Sequence, residues 1–515
     1  MSGAGRPLPA YLRRAAARRR IRALVRRPWR AVPWVVRWLV PLAWEPDDEL
    51  RRATLDRAVS RGDRVAARIR TLEPQGLIGT PLARGRAAAL EVLASDLDGE
   101  AARTERTVIE FLGHRPAQRE TAGRGPAGAA AEAVAAAERL RGQGHTRPRI
   151  VMTLPALEGN PYTRLMESGF ASKGLAAIHV DTLEDAAAVV AARAAGDFEA
   201  VLLVNASNRL VWPAPDAAAA ARVVESALAM LDRWRADGVP LAVTVHDGAI
   251  LGPVHAAAEQ ALAQGIADRA DVIHVLTAST PALIGDWLRL DPARTTHIPI
   301  PNFDEAYGAR PPRAEARTAL GLDPIDPLEG GREIVVGMIG LLSPRKGPRR
   351  LVESLRDVPD PLPDGRRIRL VMAGRAIDPG GEALIRAAGA DPRIVAAFGF
   401  VPDERMPALL AAIDVAIVPY DRYLNSAWTV LALTAGIPVI APAGGTAAEV
   451  VRPGALATWD PADPASLATA IAEAGRLVTT EARIAARRSV GDLDAGVIAE
   501  RFAALLAGLP IVSAR

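Results

Sequence analysis

The sequence predicts an α/β protein in which a helical N-terminal extension precedes two facing Rossmann-like domains. From Arg149 onwards, short apolar runs alternate with helical patterns, which is typical of parallel strands joined by helices. A proline-rich stretch over 311–327 separates two such series. The 515 residues suffice for about three domains at roughly 150 residues each. Because ligands of parallel sheets bind at the carboxyl ends of the strands, we expect the chemistry in the loops that follow the apolar runs.

Composition excludes several kinds of site. Half of the residues are apolar, so the chain can bury a large core, and it is too long to be a single small binding module. Cysteine is absent, which excludes disulfides, thiolate metal sites and cysteine nucleophiles. Only Lys173 and Lys346 among the 63 basic residues are lysine, so arginine supplies nearly all of the positive charge.

The N-terminal arm, residues 1–45, differs in charge from the rest of the chain. Residues 1–44 contain eleven Arg and no acidic residue, so the net charge of +4 conceals a charge of −7 on the remaining chain. A basic amphipathic helix is predicted over 10–27, followed by the segment AVPWVVRWLVPLAW. This segment is too short, and too interrupted by proline and arginine, to span about 30 Å of hydrocarbon. It also lacks the features of a signal peptide.

Arginine beside tryptophan predicts that the arm lies on an anionic membrane surface. The alternatives are an arm that binds nucleic acid and an arm that is solvated or packed on a domain. We expect no nucleic acid as a partner, because the rest of the chain shows neither a basic surface interleaved with aromatic residues nor a nucleic-acid-binding motif. The predicted location is therefore cytoplasmic, peripheral at the inner face of the plasma membrane.

The remaining chain divides by its pattern. Residues 46–147 are predicted to form a helical extension and a linker, with no visible chemistry. The first Rossmann-like domain is predicted over 148–310, with a helix at Ala217–Ala236 and strands at 149–154, 175–180, 200–205, 241–246, 272–277 and 296–300. The second is predicted over 328–480, with strands at 333–340, 368–374, 394–400, 415–420 and 437–442, and 481–515 is predicted as a C-terminal helix.

A candidate phosphate site follows the first strand of the second series. In GMIGLLSPRKGPRRLVESL, a turn at Gly340 leads to Arg345 and Lys346 at the start of a helix. Backbone amides and the positive end of a helix dipole favour a phosphate there, and the lysine adds a point charge. The alternative is an ordinary solvated helix start.

A second candidate lies in VPYDRYLNSAWTVLALTAGIPVIAPAGGTAAEVV. Asn425 and Ser426 are N-cap candidates for an apolar helix that ends at Gly436. Gly444 and Gly445 open a further turn. Glu449 lies in the next helix, where it could cap that helix or bind a sugar hydroxyl. Capping and turn formation would explain each feature alone, but not their order.

These segments resemble the GT-B glycosyltransferases of the glycogen-synthase-like branch, and most closely the bacterial exopolysaccharide and glycolipid glycosyltransferases. The resemblance covers about 149–506 and is strongest in IGLLSPRKG, VMAG, FGFVPDERMPALLAAIDVAIVPY and AGIPVIAPAGGTAAEVV. It implies an acceptor domain over 148–310, a nucleotide-sugar-binding domain over 328–480, and a nucleoside-diphosphate sugar in the cleft between them. The donor-binding residues that it implies are Gly159, Asn160, Gly340, Arg345, Lys346, Gly374, Tyr420, Asn425, Ser426, Gly444, Gly445 and Glu449.

The chain departs from the family pattern at several positions. Tyr423 and Leu431 occupy the places of two glutamates that contact the donor sugar and ribose in many members. Leu341 occupies the place of an arginine, although Arg345 could supply that charge. Ala427 replaces a glycine in the otherwise similar segment YLNSAWTVLAL, which bears on how closely a phosphate could approach the backbone.

The first domain supports the same subgroup. TVHDGAILGPVH and HIPIPNF are similar to a strand-end segment and to the crossover between domains. His246, at the carboxyl end of a strand, and Asp247 beside it are the candidate catalytic residues, and His255 is a candidate acceptor contact. A lone histidine is more often structural, but its position at a strand end and the resemblance favour function here.

The predicted function is a hexosyltransferase that moves a sugar from a nucleoside-diphosphate donor to a lipid-linked or polysaccharide acceptor. We expect no cofactor and no metal, because the two Asp-Leu-Asp segments, at 96–98 and 492–494, lie in helical stretches outside the sheets. One alternative is a non-catalytic GT-B-like protein that binds a nucleotide or glycan. Another is a nucleic-acid-binding arm that regulates an ordinary pair of domains.

Overall fold

The structure, a computed structural model, describes residues 125–156, 160–246, 255–375, 384, 387–420 and 423–510. They form two α/β domains, each built on a parallel six-stranded sheet. The predicted arm (1–45) and residues 46–124 of the predicted extension and linker (46–147) lie outside the described residues. Among the helices of the described chain, none is both long enough and apolar enough to cross a membrane.

The sheet of the first domain has the order β2-β1-β3-β4-β5-β6. Its strands are β1 (Arg149–Leu154), β2 (Leu175–His179), β3 (Glu199–Val204), β4 (Leu241–Val245), β5 (Val272–Val275) and β6 (Thr295–His297). Its helices are α1 (Gly125–Gly142), α2 (Pro161–Glu167), α3 (Leu183–Gly196), α4 (Ala217–Ala236), α5 (Ala256–Arg269) and α6 (Thr280–Ile284). The apolar runs are nearly continuous because helices cover both faces of the sheet, and five of the six β3 residues are buried.

The sheet of the second domain has the order β12-β11-β10-β7-β8-β9. Its strands are β7 (Glu333–Ile339), β8 (Arg367–Gly374), β9 (Ile394–Phe398), β10 (Val415–Ile417), β11 (Val439–Pro442) and β12 (Leu456–Trp459). The helices that follow the first domain are α7 (Arg313–Ala319), α8 (Pro348–Leu355), α9 (Met406–Ala412), α10 (Ala427–Thr434), α11 (Gly445–Val450), α12 (Pro464–Ala472), α13 (Thr480–Ser489) and α14 (Ala495–Ala507). Strand β12, at one edge of this sheet, is absent from the strands that the sequence predicts.

Both ends of the described chain pack on the first domain. Helix α1 buries one alanine-rich face against that domain, so the domain begins upstream of the predicted boundary at 148. Helix α14 returns from the second domain to the first. There its Phe502 ring stacks on the Phe170 ring, with ring centroids 6.1 Å apart. The Arg149 guanidinium donates to the carbonyl oxygens of Leu506 and Ala507 at 2.9 and 2.8 Å. The segment predicted as one C-terminal helix is therefore two helices, α13 and α14, and the second of them completes the first domain.

A buried histidine supports this packing without any role for its charge. His274 is 1% exposed, its Nε2–H donates to the Ile298 carbonyl at 2.8 Å, and its Nδ1 accepts from the Thr244 hydroxyl at 3.2 Å. Burial lowers the pKa of His274 to about 3, so the ring is neutral at physiological pH. We interpret His274 as a core residue that links the sheet to α14, where its ring lies 5.0 Å from the Phe502 ring.

A buried carboxylate joins α7 to the base of the second sheet. The Asp414 side chain is fully buried and accepts from the Val335 amide at 2.7 Å. It forms ion pairs with Arg317 at 3.1 Å, with Arg483 at 3.3 Å and with Arg313. These charge-assisted bonds satisfy both carboxylate oxygens where water cannot reach them, so the network fixes the position of α7 and α13 on the sheet.

Candidate active site

The two domains enclose a cavity of about 850 Å³ at the carboxyl ends of their strands. The first domain contributes the start of α2, which follows β1, and the loops that follow β3, β4 and β5, and the second contributes the loops that follow β7 and β10. Apolar contacts cross the boundary, because Leu424 of the second domain packs in the core cluster of the first. This is the position at which open parallel sheets bind ligands, and the volume is typical of a small-molecule site.

The loop after β7 presents two cationic side chains to the cavity. Arg345 and Lys346 lie in a 3₁₀ turn at Pro344–Lys346, directly before α8, and both line the cavity together with Gly340. The Lys346 Nζ lies 5.5 Å from the centre of the Tyr420 ring. Within the residues that the structure describes, Lys346 forms no ion pair, so no carboxylate in direct contact neutralises its charge at the cavity.

Close packing between neighbouring loops explains one predicted glycine. Gly374 has a φ of +141°, and a Cβ there would lie 1.7 Å from the Gly340 carbonyl oxygen. Any larger residue would separate the loops that follow β7 and β8. Gly374 is not among the residues that line the cavity, so the structure gives it a role in shaping the loop of Gly340.

The segment 423–428 forms the opposite wall of the second domain. The Ser426 hydroxyl accepts from the Thr429 amide at 3.2 Å, so Ser426, one of the two predicted candidates, is the N-cap of α10. The Asn425 carboxamide nitrogen donates to the carbonyl oxygen of His246 at 2.9 Å. Asn425 therefore joins the second domain to the strand end that presents His246.

Two of the family departures lie on this wall. Tyr423 and Leu431 both line the cavity, and the Tyr423 hydroxyl is 2.9 Å from the Thr429 hydroxyl. Burial raises the pKa of Tyr423 above its ordinary value, so the phenol stays protonated. A phenol and an isobutyl group thus face the cavity, and neither supplies the charge of a carboxylate.

On the wall of the first domain, His246 contacts Asn205 and Tyr162. Its Nε2 lies 3.1 Å from the Oδ1 of Asn205, which follows β3. The ring of Tyr162 packs edge-on at 5.5 Å with an interplanar angle of 86°. Asn160 accepts from the Tyr162 amide at 3.0 Å as the N-cap of α2, and it also lines the cavity. These contacts fix the imidazole at the cavity surface.

Sequence reasoning missed Asn205 and Tyr162. Asn205 could have been found by the rule that found His246, because it is a polar residue at the carboxyl end of a predicted strand. Tyr162 gave no such signal, since it lies inside α2 and approaches the cavity only through the packing of that helix.

Other predicted residues lie elsewhere. His255 is the N-cap residue of α5, where its Nε2 donates to the Ala214 carbonyl at 2.8 Å, and it does not line the cavity. Gly444 and Gly445 also lie outside the lining, and a Cβ on Gly445 would meet the Leu424 carbonyl oxygen at 2.6 Å. Gly159 and Asp247 fall outside the described residues.

Glu449 reaches across to the first domain. Its carboxylate accepts from the amides of Ala278 and Ser279, both at 2.8 Å, and from the Ser279 hydroxyl. These donors precede α6, whose Leu283 and Ile284 line the cavity. Elsewhere between the domains, Arg164 pairs with Asp403 at 3.0 Å. The contacts of Glu449 therefore hold the domains together at the cavity rim.

The charges that line the cavity favour an anionic ligand. Arg209, Arg345 and Lys346 are the cations in the described lining, against one carboxylate, Asp286. In the described part of the chain, no three His, Asp or Glu side chains come together to hold a metal ion. The site thus combines positive charge from both domains with a hydrogen-bonding imidazole, that of His246.

The second domain matches a known family. Residues 333–475 match the family described as "Glycosyl transferases group 1". Over 70% of its length, the chain is also similar in fold to the sucrose-phosphate synthase of Thermosynechococcus elongatus. The TM-score is 0.52 at 18% sequence identity, and the match covers 98% of that protein. The protein has the GT-B fold, and its residues 333–475 are similar to the group 1 glycosyl transferases.

Curated relatives match parts of this GT-B chain. A GDP-mannose:glycolipid 4-beta-D-mannosyltransferase of Xanthomonas campestris is 34% identical over 119 residues, which are 22% of this chain and 33% of that protein. A D-inositol 3-phosphate glycosyltransferase of a Mycobacterium species is 29% identical over 247 residues, 43% of this chain and 50% of that protein. The GT-B chain thus spans between a third and a half of the length of these relatives.

Proposed function

We propose that the protein is a glycosyltransferase that moves a hexosyl group from a nucleoside-diphosphate sugar to a lipid-linked or polysaccharide acceptor. The observation that carries the proposal is the placement of Arg345 and Lys346 on a loop of the group 1 domain, across an interdomain cavity from His246. A cationic wall suits a diphosphate leaving group, and the facing histidine suits a sugar or an acceptor hydroxyl.

In this reaction the bond from the sugar C1 to the diphosphate oxygen breaks, and a bond from C1 to the acceptor oxygen forms. Negative charge develops on the departing diphosphate, and Lys346 and Arg345 stabilise it there. The proton of the acceptor hydroxyl goes to a base at His246 or Asp247 if the configuration is inverted. If the configuration is retained, the leaving phosphate accepts that proton and neither residue acts as a base. The domains exclude water, which would otherwise hydrolyse the donor.

One of the two proposed acceptor classes is lipid-linked. The Xanthomonas relative is named for transfer to a glycolipid, which supports an acceptor of this class. No cofactor is part of the proposed reaction, and the proposed chemistry is independent of metal because the cations of the cavity supply the charge that a metal would otherwise provide.

The test is a turnover assay with the full chain. UDP- and GDP-linked hexoses, each radiolabelled in the sugar, are incubated with a bacterial membrane extract, with and without EDTA. We expect label to enter lipid or polysaccharide with one of these donors, and EDTA to leave the rate unchanged. Binding of nucleotide measured by thermal shift, without incorporation or donor hydrolysis for any donor, would contradict transferase activity.

A non-catalytic nucleotide- or glycan-binding protein is the second candidate. Tyr423 and Leu431 favour it, because they place no carboxylate on the cavity wall where many family members are expected to have two. The turnover assay separates the two candidates, since a binding protein shifts its melting temperature with nucleotide but consumes no donor.

We also propose that the N-terminal arm, residues 1–45, holds the enzyme on the inner face of the cytoplasmic membrane. Its eleven arginines and four tryptophans suit an anionic bilayer surface. In flotation with phosphatidylglycerol-containing vesicles at low salt, we expect the full chain to float and a variant without residues 1–45 to remain at the bottom. High salt should weaken binding of the full chain. Equal flotation of both chains, or binding to DNA in place of vesicles, would refute this role.

A further inference from the structure

The hydrogen bond between Asn205 and His246 restricts the histidine ring. The carboxamide oxygen Oδ1 of Asn205 lies 3.1 Å from Nε2 of His246. A carboxamide oxygen can only accept a hydrogen bond, so Nε2 must donate and must carry the proton. In a neutral imidazole with a protonated Nε2, the lone pair is on Nδ1.

We propose that Asn205 is a positioning residue that keeps a proton on Nε2 of His246, so that Nδ1 carries the lone pair whenever the ring is neutral. The surrounding contacts fix the ring for this purpose. Tyr162 packs edge-on against it, and Asn425 holds the His246 carbonyl from the second domain at 2.9 Å. Asn205 and His246 follow neighbouring strands, β3 and β4, so the sheet itself sets the spacing between their side chains.

The tautomer decides which ring nitrogen can accept a proton. With Nε2 occupied by Asn205, a proton from an acceptor hydroxyl can go only to Nδ1. If His246 instead binds a sugar hydroxyl without acting as a base, Nδ1 is the nitrogen that accepts that hydroxyl's hydrogen bond. The tautomer assignment depends only on the geometry, whereas this consequence rests on the proposed function.

The experiment that tests the assignment needs no substrate. The full chain is labelled with ¹⁵N in the histidine rings, and the two nitrogens of His246 are assigned by the loss of their signals in His246→Gln. At a pH where the ring is neutral, we expect Nε2 to be protonated. In Asn205→Leu we expect the ratio of the two tautomers to shift about fivefold towards Nδ1–H, the factor that the loss of one ordinary hydrogen bond gives.

Two further variants separate positioning from folding. Asn208→Leu makes the same substitution three residues away, in the 3₁₀ turn at Ser207–Leu210, and should leave the His246 signals unchanged. Asn205→Asp replaces the carboxamide by a group that also accepts, so Nε2 should remain protonated. A side chain that merely filled space would not distinguish Asp from Leu in this spectrum.

Two results would overturn the proposal. One is protonation of Nδ1 in the wild-type protein, which would mean that the carboxamide is reversed and donates to Nε2. The other is the same tautomer ratio in Asn205→Leu as in the wild type. If transfer activity is found, Asn205→Leu should lower kcat about tenfold or more with the donor KM within twofold, and Asn205→Asp should recover part of that loss. Absence of transfer would refute the proposed function while the nitrogen spectra still decide the tautomer.

Discussion

Substitution of Lys346 by alanine is expected to lower the rate of sugar transfer about 100-fold, which corresponds to about 2.7 kcal/mol of lost transition-state stabilisation. The Lys346 ammonium lines the cavity beside the Tyr420 ring and forms no ion pair in the described part of the chain. Charge develops on the diphosphate as the sugar leaves, so the lysine binds the transition state more tightly than the ground state. The effect should therefore fall mainly on kcat.

The chain supplies a matched control, because it contains one other lysine. Lys173 pairs with Glu500 at 2.9 Å on the surface of the first domain and is not among the cavity residues. Lys173→Ala should leave the transfer rate within about twofold of the wild type, as expected for an exposed ion pair. Initial rates with labelled donor over a range of donor concentrations give kcat and KM for each variant. Undiminished kcat in Lys346→Ala would exclude this lysine as the group that stabilises the leaving diphosphate.

Much of the fold follows from local sequence patterns. Strand β1 and helix α4 have the predicted bounds, because a continuous apolar run and a 3.6-residue repeat are strong signals. Strand β12 was missed because it is an edge strand of only four residues, LATW, in which Thr458 interrupts the apolar residues and a single residue is buried. The attachment of α1 and α14 to the first domain was missed for another reason, since packing between distant segments leaves no local signal.

Some of the residues predicted from strand ends lie together at the cavity. His246 and Lys346 line the cavity as the rule of strand ends requires, and Ser426 caps α10 as its residue type suggests. The rule cannot show which side chains cross between domains. Glu449 illustrates this limit, because its three bonds to Ala278 and Ser279 depend on how the domains meet. A carboxylate within a helix pattern looks the same in sequence whether it binds a sugar or the other domain.

Substitution of Asp414 by alanine is expected to destabilise the second domain by about 3–5 kcal/mol. The variant leaves Arg317, which is fully buried, without the carboxylate that neutralises it, and it removes the acceptor of the Val335 amide. A buried guanidinium without its partner costs far more than the lost attraction, because water cannot replace the carboxylate. The damage should be local, since the partners of Asp414 lie on β7, α7 and α13.

Hydrogen exchange measured by mass spectrometry locates the effect. In Asp414→Ala, we expect amides of β7, β8 and β10 to lose protection while those of β1, β3 and β4 keep it. Asp403→Ala is the control, because Asp403 is 41% exposed in its pair with Arg164, and its loss should change stability by no more than about 1 kcal/mol. Equal protection of the second sheet in Asp414→Ala and the wild type would show that the buried arginines find other acceptors, and that the network contributes little to stability. Loss of protection across both sheets at once would instead show that the domains unfold as one unit, as their shared apolar contacts at Leu424 and the return of α14 to the first domain allow.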